Sequence, residues 1–437
     1  MKGDLSGMLN AKRFVVFGAT DKEEKPGYII FKNLLDAGKE VFGINIKGGS
    51  AQGQKLFRDI NEIAYNIDCA IIATPAKTTP IILRQIAKRN IKNAVIVSAG
   101  FGEVGNNDFE EHIGKLAEEL KINLLGPNSF GFSNPLEKIN TSFYSGEIKK
   151  GEISFISQSG AIGSGIIDKM KSFSGFVSIG NAVNLKISDF VEHYSTDPNT
   201  KVICLYMEAL ENNEGRRFIE VCKNCKKPIL VLKAGKTVGG QRAAKSHTAA
   251  VSSERGIYSG IFNQAGIVEC DSVKQMFQTA KAIGKYGKIN GPACVVTNAG
   301  GLGVLTSDYL EENKISLMKL EDKLKRKLNK VLPLNWSHNN PIDIIGDANF
   351  KRELDAFKIL EKEKDIGFYI VLLTPQYMTE MKKSAKLLTM LQLPVFACFL
   401  GGDKVEMAKE VLKREGIPFF EDPREMCEVI GKVINVS

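Results

Sequence analysis

Short apolar runs, each followed by a turn of small or polar residues and then by apolar positions at helical spacing, occur three times along the chain. The first is Phe14–Phe17, the turn GATDKEEKPG and the segment YIIFKNLLDAG. The second is Ile153–Ile156, then SQSG and AIGSGIIDKM, and the third is Ala293–Val296, then TNAGG and LGVLTSDYLEE. Further strand-sized runs follow each pattern: VFGIN, CAIIATP, NAVIVSAG and INLLGPN; GFVSIG, VICLYME and PILVLKAG; FYIVLLTPQ and PVFACFLGG. Near-continuous apolar strands alternating with helices predict parallel sheets covered on both faces. The patterns start about 140 residues apart, the size of one doubly wound α/β domain. The expected architecture is therefore α/β, with three doubly wound parallel-sheet domains at 1–138, 147–287 and 290–437. The polar stretches SNPLEKINTSFYSGEIKKGE and AIGKYGKINGP read as the linkers.

Composition narrows this picture only a little. With 43% apolar and 25% charged residues, the chain is an ordinary globular protein. The amino terminus lacks the apolar core of a secretory signal, and no run reaches membrane-span length, so a cytoplasmic protein with no membrane association is expected. The net charge of +9 comes from scattered residues, mostly Lys, and does not point to nucleic acid. Cys222 and Cys225 form a single C-x-x-C without a second pair or a nearby histidine, so no metal site is expected. Cys69, Cys204, Cys294 and Cys398 sit in apolar runs and read as small core residues.

In open parallel sheets ligands bind beyond the carboxyl ends of the strands, so the turns are the places to look for chemistry. The first turn, Gly18, Ala19, Thr20 and Asp21, lacks a full G-x-G-x-x-G fingerprint. It suits a nucleotide-like ligand, helped by Lys47 after the second strand and by Thr74-Pro75. Ser157-Gln158-Ser159-Gly160 opens a helix, whose unpaired N–H groups and positive dipole end suit phosphate. Asn128-Ser129-Phe130-Gly131 resembles another helix start. Both ends would also serve as plain N-caps, and the sequence leaves open whether they face one point.

The stretch from Val231 to Ala250 is rich in Gly, Ala, Ser and Lys and lacks an apolar period. From Val221 to Ser253 there is no acidic residue and there are seven basic ones. Long segments of this kind are usually functional loops or disordered. His247 lies inside it, and the other three histidines (His112, His193, His338) lie in ordinary polar contexts.

Taken in order, FGATDKEEKPGY, INIKGG, ATPA, VSAGFGE, LLGPNSFGFSN, ISFISQSGA, LYMEAL, LVLKAGKT with RAAKSHT, VTNAGGLGV and NPIDIIGDA cover nearly the whole chain. This ordered set resembles the α subunits of ADP-forming acyl-CoA synthetases, relatives of succinyl-CoA synthetase. The resemblance implies a Rossmann-like CoA-binding domain and two flavodoxin-like ligase domains. It implies that acyl-CoA and phosphate give acyl phosphate and CoA, that the phosphoryl group passes to His247, and that ADP then receives it. Glu208 matches the carboxylate that orients the histidine. Asn128, Ser129, Ser159 and Gly160 match the phosphate site. Gly18, Ala19, Thr20, Asp21, Lys47, Thr74, Pro75, Ser98, Ala99 and Gly100 match the CoA contacts. No ATP-grasp segment is recognisable, so Mg2+ and ADP or ATP are expected on a separate ATP-grasp β subunit, in a heterotetramer whose substrates are CoA, phosphate and a small carboxylate. The chain departs from the family pattern at Ala249, Ser129 and Leu302, where Gly, Cys and Pro are common.

Two other functions would make different demands on the sequence. A CoA-sensing regulatory protein would keep the first turn and Lys47 but would not need His247 and Glu208 together. A nicotinamide-dependent dehydrogenase would carry a full glycine fingerprint and an acidic residue after the second strand, where this chain has Asn45-Ile46-Lys47.

Overall fold

The structure is a computed structural model that describes residues 5–210, 214–240, 242 and 255–436. His247 and Ala249 lie outside the described residues. The chain divides into two compact units, Met1–Glu269 and Cys270–Ser437. Among the described residues no helix is long and apolar enough to cross a membrane.

The first unit contains two sheets. In sheet one the strands are β1 (Arg13–Phe17), β2 (Glu40–Ile44), β3 (Ser50–Ala51), β4 (Gln54–Phe57), β5 (Cys69–Ile72), β6 (Asn93–Ile96) and β7 (Asn123–Leu125). Their order is β3-β4-β2-β1-β5-β6-β7. Every pairing but β3–β4 is parallel. The continuous apolar runs have the cause expected of parallel strands. Phe14 and Val16 of β1 enter one core, and Val15 and Phe17 enter another on the opposite face. The chain leaves β1 for β2 on one side and returns to β5 on the other, so the order reverses beside β1, where doubly wound sheets bind ligands.

Sheet two uses β8 (Gly131–Asn134), β9 (Ile139–Asn140), β10 (Lys149–Ser157), β11 (Ser172–Ser178), β12 (Val202–Met207), β13 (Ile229–Lys233) and β14 (Val268–Cys270). The order is β14-β13-β12-β10-β11-β8-β9, with β10 to β13 parallel and the β8–β9 hairpin antiparallel at the edge. The polar stretch read as the first linker thus supplies strand residues. Its polar groups are consumed locally: Ser133 Oγ donates to Ile139 O at 2.9 Å and Thr141 Oγ1 to Phe132 O at 3.0 Å. Polar residues that bond across a two-strand turn hide the hairpin from any reading based on apolar period.

The second unit holds β15 (Ala293–Thr297), β16 (Ile342–Asp343), β17 (Phe368–Leu373), β18 (Val395–Phe399) and β19 (Phe419–Phe420), all parallel, in the order β16-β15-β17-β18-β19. The three sequence patterns coincide with the strands β1 and β10, each central in its sheet, with β15, next to the edge strand β16, and with the helices Pro26–Asp36, Gly160–Met170 and Gly300–Glu312. Cys69, Cys204, Cys294 and Cys398 are buried in these sheets. Helix Val273–Tyr286 packs in this unit against helix Pro423–Ile434, with Lys274 Nζ 2.6 Å from Glu425 Oε2.

One buried acid stands out in the second unit. Glu353, on helix Phe350–Leu360, is 3% exposed. Ser384 donates its hydroxyl to Glu353 Oε2, and Oε1 has no hydrogen-bond partner among the described residues. Burial pushes this carboxyl up to about 7, with the serine bond opposing. A raised acid pKa means that the folded state holds its proton more tightly. Stability from this group is fully present below about pH 4.5, is lost as pH rises to about 7, and is flat beyond. Glu353→Gln removes that loss, so chemical denaturation of wild type and variant should diverge between pH 5 and pH 7.5. The variant should gain on the order of 3 kcal/mol over the interval relative to wild type; parallel profiles would place the ionisation elsewhere.

Candidate active site

The residues predicted to hold CoA form a row along the carboxyl edge of sheet one. Lys47 follows β2, Gly18–Asp21 follow β1, Thr74-Pro75 follow β5 and Ser98–Gly100 follow β6, and these strands are neighbours in that order. The first turn is tight. Gly18 has φ +91°, its N–H donates to Ile44 O at 2.9 Å, and a Cβ there would lie 2.7 Å from Ala73 O. Gly27, in the first turn of helix Pro26–Asp36, approaches so closely that a Cβ would lie 2.1 Å from Gly18 O. A glycine at each position lets helix, turn and neighbouring loop meet without side-chain intrusion. Asn45 Nδ2 donates to Ala19 O at 3.0 Å, Asp21 Oδ1 accepts from Gln52 N at 2.7 Å, and Thr20 Oγ1 accepts from Lys22 N at 3.2 Å. Lys47 is exposed, with its backbone N–H on Asn45 Oδ1 at 3.1 Å. Thr74 Oγ1 pairs with Thr78 Oγ1 at 2.7 Å. Gly100, φ +111°, brings the β6 loop against Ala76, whose Cβ would be 3.3 Å from one built on the glycine. Ser98 Oγ is buried with no hydrogen-bond partner among the described residues.

The predicted phosphate residues lie at the carboxyl edge of sheet two. Ser159 caps helix Gly160–Met170, its Oγ accepting from Ile162 N at 3.3 Å, so this helix start stands as expected. Asn128-Ser129 is not a helix start. Asn128 has φ +54° and Gly131 φ +98°, and the backbone N–H groups of Asn128 and Ser129 donate to Ser98 O and Ile96 O at 3.1 and 3.2 Å. With those donors spent on the β6 loop, the chain turns into β8 rather than a helix. The Ser129 side chain is 1% exposed and bonded on both sides: its hydroxyl donates to Ser178 O at 2.5 Å and accepts from Gly131 N at 2.9 Å. Its visible work is to fix the turn to the end of β11. The turn and the true helix start do meet, since a Cβ on Gly160 would sit 3.0 Å from Phe130 Cβ.

Glu208 comes to the same edge through strand register. Ser157 of β10 pairs with Tyr206 of β12, so the residues two steps further, Ser159 and Glu208, leave adjacent strands side by side. Gln158 locks this arrangement. Its Oε1 accepts from the N–H of Glu208 and, at 3.0 Å, of Ala209, while its Nε2 donates to Ala209 O at 2.8 Å. The Tyr206 hydroxyl donates to Glu208 Oε1 at 3.3 Å.

Three features escape a reading by motif. Lys233, the last residue of β13, is 5% exposed. It donates to Glu208 O at 2.7 Å and to Ala234 O, and its Nζ lies 4.4 Å from the Tyr258 ring centroid. Burial lowers this ammonium to about 8. Glu103, just after the predicted CoA loop, accepts from Gly100 N at 2.5 Å, Phe101 N at 3.1 Å and Asn181 Nδ2 at 2.6 Å. Burial alone would raise its carboxyl, but these donors hold it below the ordinary range. Asn181 follows β11 and reaches both edges of the site. Lys233 and Glu103 lie inside the quoted motifs LVLKAGKT and VSAGFGE, which was the available signal; Asn181 lies in none.

Three domain families match the chain: a CoA binding domain over residues 12–135, a succinyl-CoA ligase-like flavodoxin domain over 150–283 and a ligase-CoA domain over 293–432. The chain is 34% identical to subunit alpha of ADP-forming acetate–CoA ligase II from Pyrococcus furiosus, over 97% of this chain and 96% of that subunit. It is also 34% identical to ADP-forming acetate–CoA ligase I from Archaeoglobus fulgidus, over 98% of this chain but only 63% of that longer protein's length. The solved dinucleotide-forming acetyl-coenzyme A synthetase 1 of Candidatus Korarchaeum cryptofilum, in complex with phosphate and ADP, superposes with a TM-score of 0.94 at 31% identity, covering 99% of this chain and 97% of that one. With an α/β fold of three mainly parallel sheets and near-full-length identity to a named α subunit, the chain belongs to the family of ADP-forming acetate–CoA ligase α subunits, acid–thiol ligases of the succinyl-CoA ligase type.

Proposed function

We propose that the chain converts acetyl-CoA or a similar acyl-CoA and phosphate to acyl phosphate and CoA, and then takes the phosphoryl group onto His247. In the first step a phosphate oxygen attacks the thioester carbonyl, the C–S bond breaks, and CoA leaves as the thiolate. In the second, a neutral imidazole nitrogen of His247 attacks phosphorus and the carboxylate departs. The other ring nitrogen, still protonated, needs an acceptor to fix its tautomer and to carry the developing positive charge, and Glu208 is assigned that task. Phosphoryl oxygens are assigned to the N–H groups at Ser159-Gly160, preset dipoles that need no reorganisation. CoA is assigned to the row formed by Lys47, Gly18–Asp21, Thr74-Pro75 and Ser98–Gly100, with Asn128 at its junction with the phosphate edge.

The observation that carries this reading is the placement of Glu208 beside the Ser159–Gly160 helix start, with Gln158 bonded to its backbone N–H. A general binding module has no need of a carboxylate held next to an anion-binding helix end. The names of the relatives support the reaction class: one is called a subunit alpha and matches nearly end to end, and the neighbouring solved structure is a complex with phosphate and ADP. His247 itself is assigned by the RAAKSHT motif. A separate ATP-grasp β subunit is assigned the Mg2+ and the ADP or ATP, and the assembly is proposed as α2β2 in the cytoplasm.

Two outcomes test the proposal. Incubated with acetyl-CoA and radiolabelled phosphate, the chain should acquire an acid-labile, base-stable label. His247→Ala should acquire none, and Glu208→Gln should label on the order of 10²–10⁴-fold more slowly. Equal labelling of His247→Ala would remove that residue from the mechanism. In the second test, a luciferase readout should detect ATP from acetyl-CoA, phosphate and ADP only after the ATP-grasp subunit is added. ATP production by the purified chain alone would refute the division between subunits.

A further inference from the structure

One polar cluster joins the two halves of the site, and its middle members, Glu103, Glu110 and Asn181, have no role in the proposed reaction. Asn181 follows β11 and sits against the turn at Gly126–Asn128. Its N–H donates to Pro127 O at 2.9 Å, and the Val183 N–H donates to Gly126 O at 3.2 Å. The seat requires a glycine next door: a Cβ on Gly180, which has φ +59°, would lie 2.1 Å from Pro127 O. From this seat the Asn181 amide nitrogen donates to two carboxylates at once, Glu103 Oε2 at 2.6 Å and Glu110 Oε2 at 2.5 Å. The amide orientation follows from chemistry, because ionised carboxylates only accept and must face the –NH2 end. The Asn181 oxygen is thereby turned to the Asn128 side-chain amide, which donates to it at 3.2 Å.

The two carboxylates are themselves spent on the β6 loop. Glu103 holds the N–H groups of Gly100 and Phe101, and Glu110 Oε2 accepts from Gly102 N at 2.9 Å. A continuous chain of hydrogen bonds thus runs from Gly100, through Glu103 and Asn181, to Asn128. Its ends are the loop assigned to CoA and the turn at the phosphate edge. Asn181 does not act as a local cap, because its partners come from three separate segments, at Glu103, at Glu110 and at Pro127-Asn128.

We infer that Asn181 is a positioning residue that couples the CoA loop to the phosphate turn, so that binding of CoA and of phosphate reinforce each other. The inference rests on the ligand assignments proposed above. When CoA orders Ser98–Gly100, Glu103 is held in place, Asn181 is oriented, and Asn128 is fixed before phosphate arrives. Linkage requires the same factor in reverse. Such coupling would favour the complex that holds both reactants over either half-filled one.

The test is calorimetric titration of the full chain with CoA, with and without saturating inorganic phosphate, a pair that cannot react because no acyl group is present. In wild type, phosphate should tighten CoA binding about 5-fold or more. In Asn181→Ala, each ligand alone should still bind while the enhancement falls toward 1. Asn181→Asp keeps the shape and the acceptor for Asn128 but loses the donor and faces two carboxylates with a third, so it should also lose the enhancement. It serves as the second variant if the alanine form does not fold. An unchanged enhancement in a folded variant, or none in wild type that binds both ligands, overturns the coupling. No CoA binding by wild type overturns the functional reading, and the coupling falls with it.

Discussion

The parallel register of β10 with β12 is the constraint on which the site depends. Because Ser157 lies opposite Tyr206, the turn that begins the helix at Gly160 and the segment that carries Glu208 must leave the sheet next to each other. Gln158 then satisfies the Glu208 and Ala209 N–H groups, which would otherwise end the strand without partners. On the other side of β10, Ser178 at the end of β11 binds the Ser129 hydroxyl and the Phe130 N–H, drawing the Asn128 turn to the same edge. A one-residue slip of this pairing would send Glu208 to the opposite face of the sheet. Positioning here is backbone geometry first and side-chain chemistry second.

Lys233 shows how the same edge is braced. A buried ammonium at the end of β13 binds the carbonyls of Glu208 and Ala234 and lies over Tyr258, whose hydroxyl accepts from Leu210 N at 2.9 Å. It thus ties the segment that carries Glu208 to Ala234, within the Gly-rich stretch that runs on to His247 in the sequence. A lysine in this position loses hydration, which lowers its affinity for a proton. The three bonded or stacked partners are what make the burial tolerable.

Much of the fold was legible because parallel strands buried on both faces cannot be written any other way than as apolar runs. Phe14–Phe17, Ile153–Ile156 and Ala293–Val296 each became an interior strand of a sheet, and the turns after them fell at the carboxyl edges. Glu208 and Ser159-Gly160 were legible through ordered motifs, and the structure sets them together. Less visible were features whose partners are remote in sequence. The Asn128 turn looked like a helix start because its residues are good caps, but its N–H groups find carbonyls of the β6 loop some thirty residues earlier. Asn181 bridges to Glu103 and Glu110, 78 and 71 residues away, and no local pattern announces that. The β8–β9 hairpin was hidden by its polar residues, whose bonds close within the hairpin itself.

The proposed division of labour leaves the thioester and phosphohistidine chemistry on this chain and nucleotide chemistry on a partner. A single-turnover assay of CoA release probes this most directly, with enzyme in excess over acetyl-CoA and neither nucleotide nor partner present. The expected result is a phosphate-dependent burst of free thiol approaching one equivalent per acetyl-CoA, detected with a chromogenic disulfide. A burst that requires ADP, or that proceeds equally well without phosphate, would contradict it.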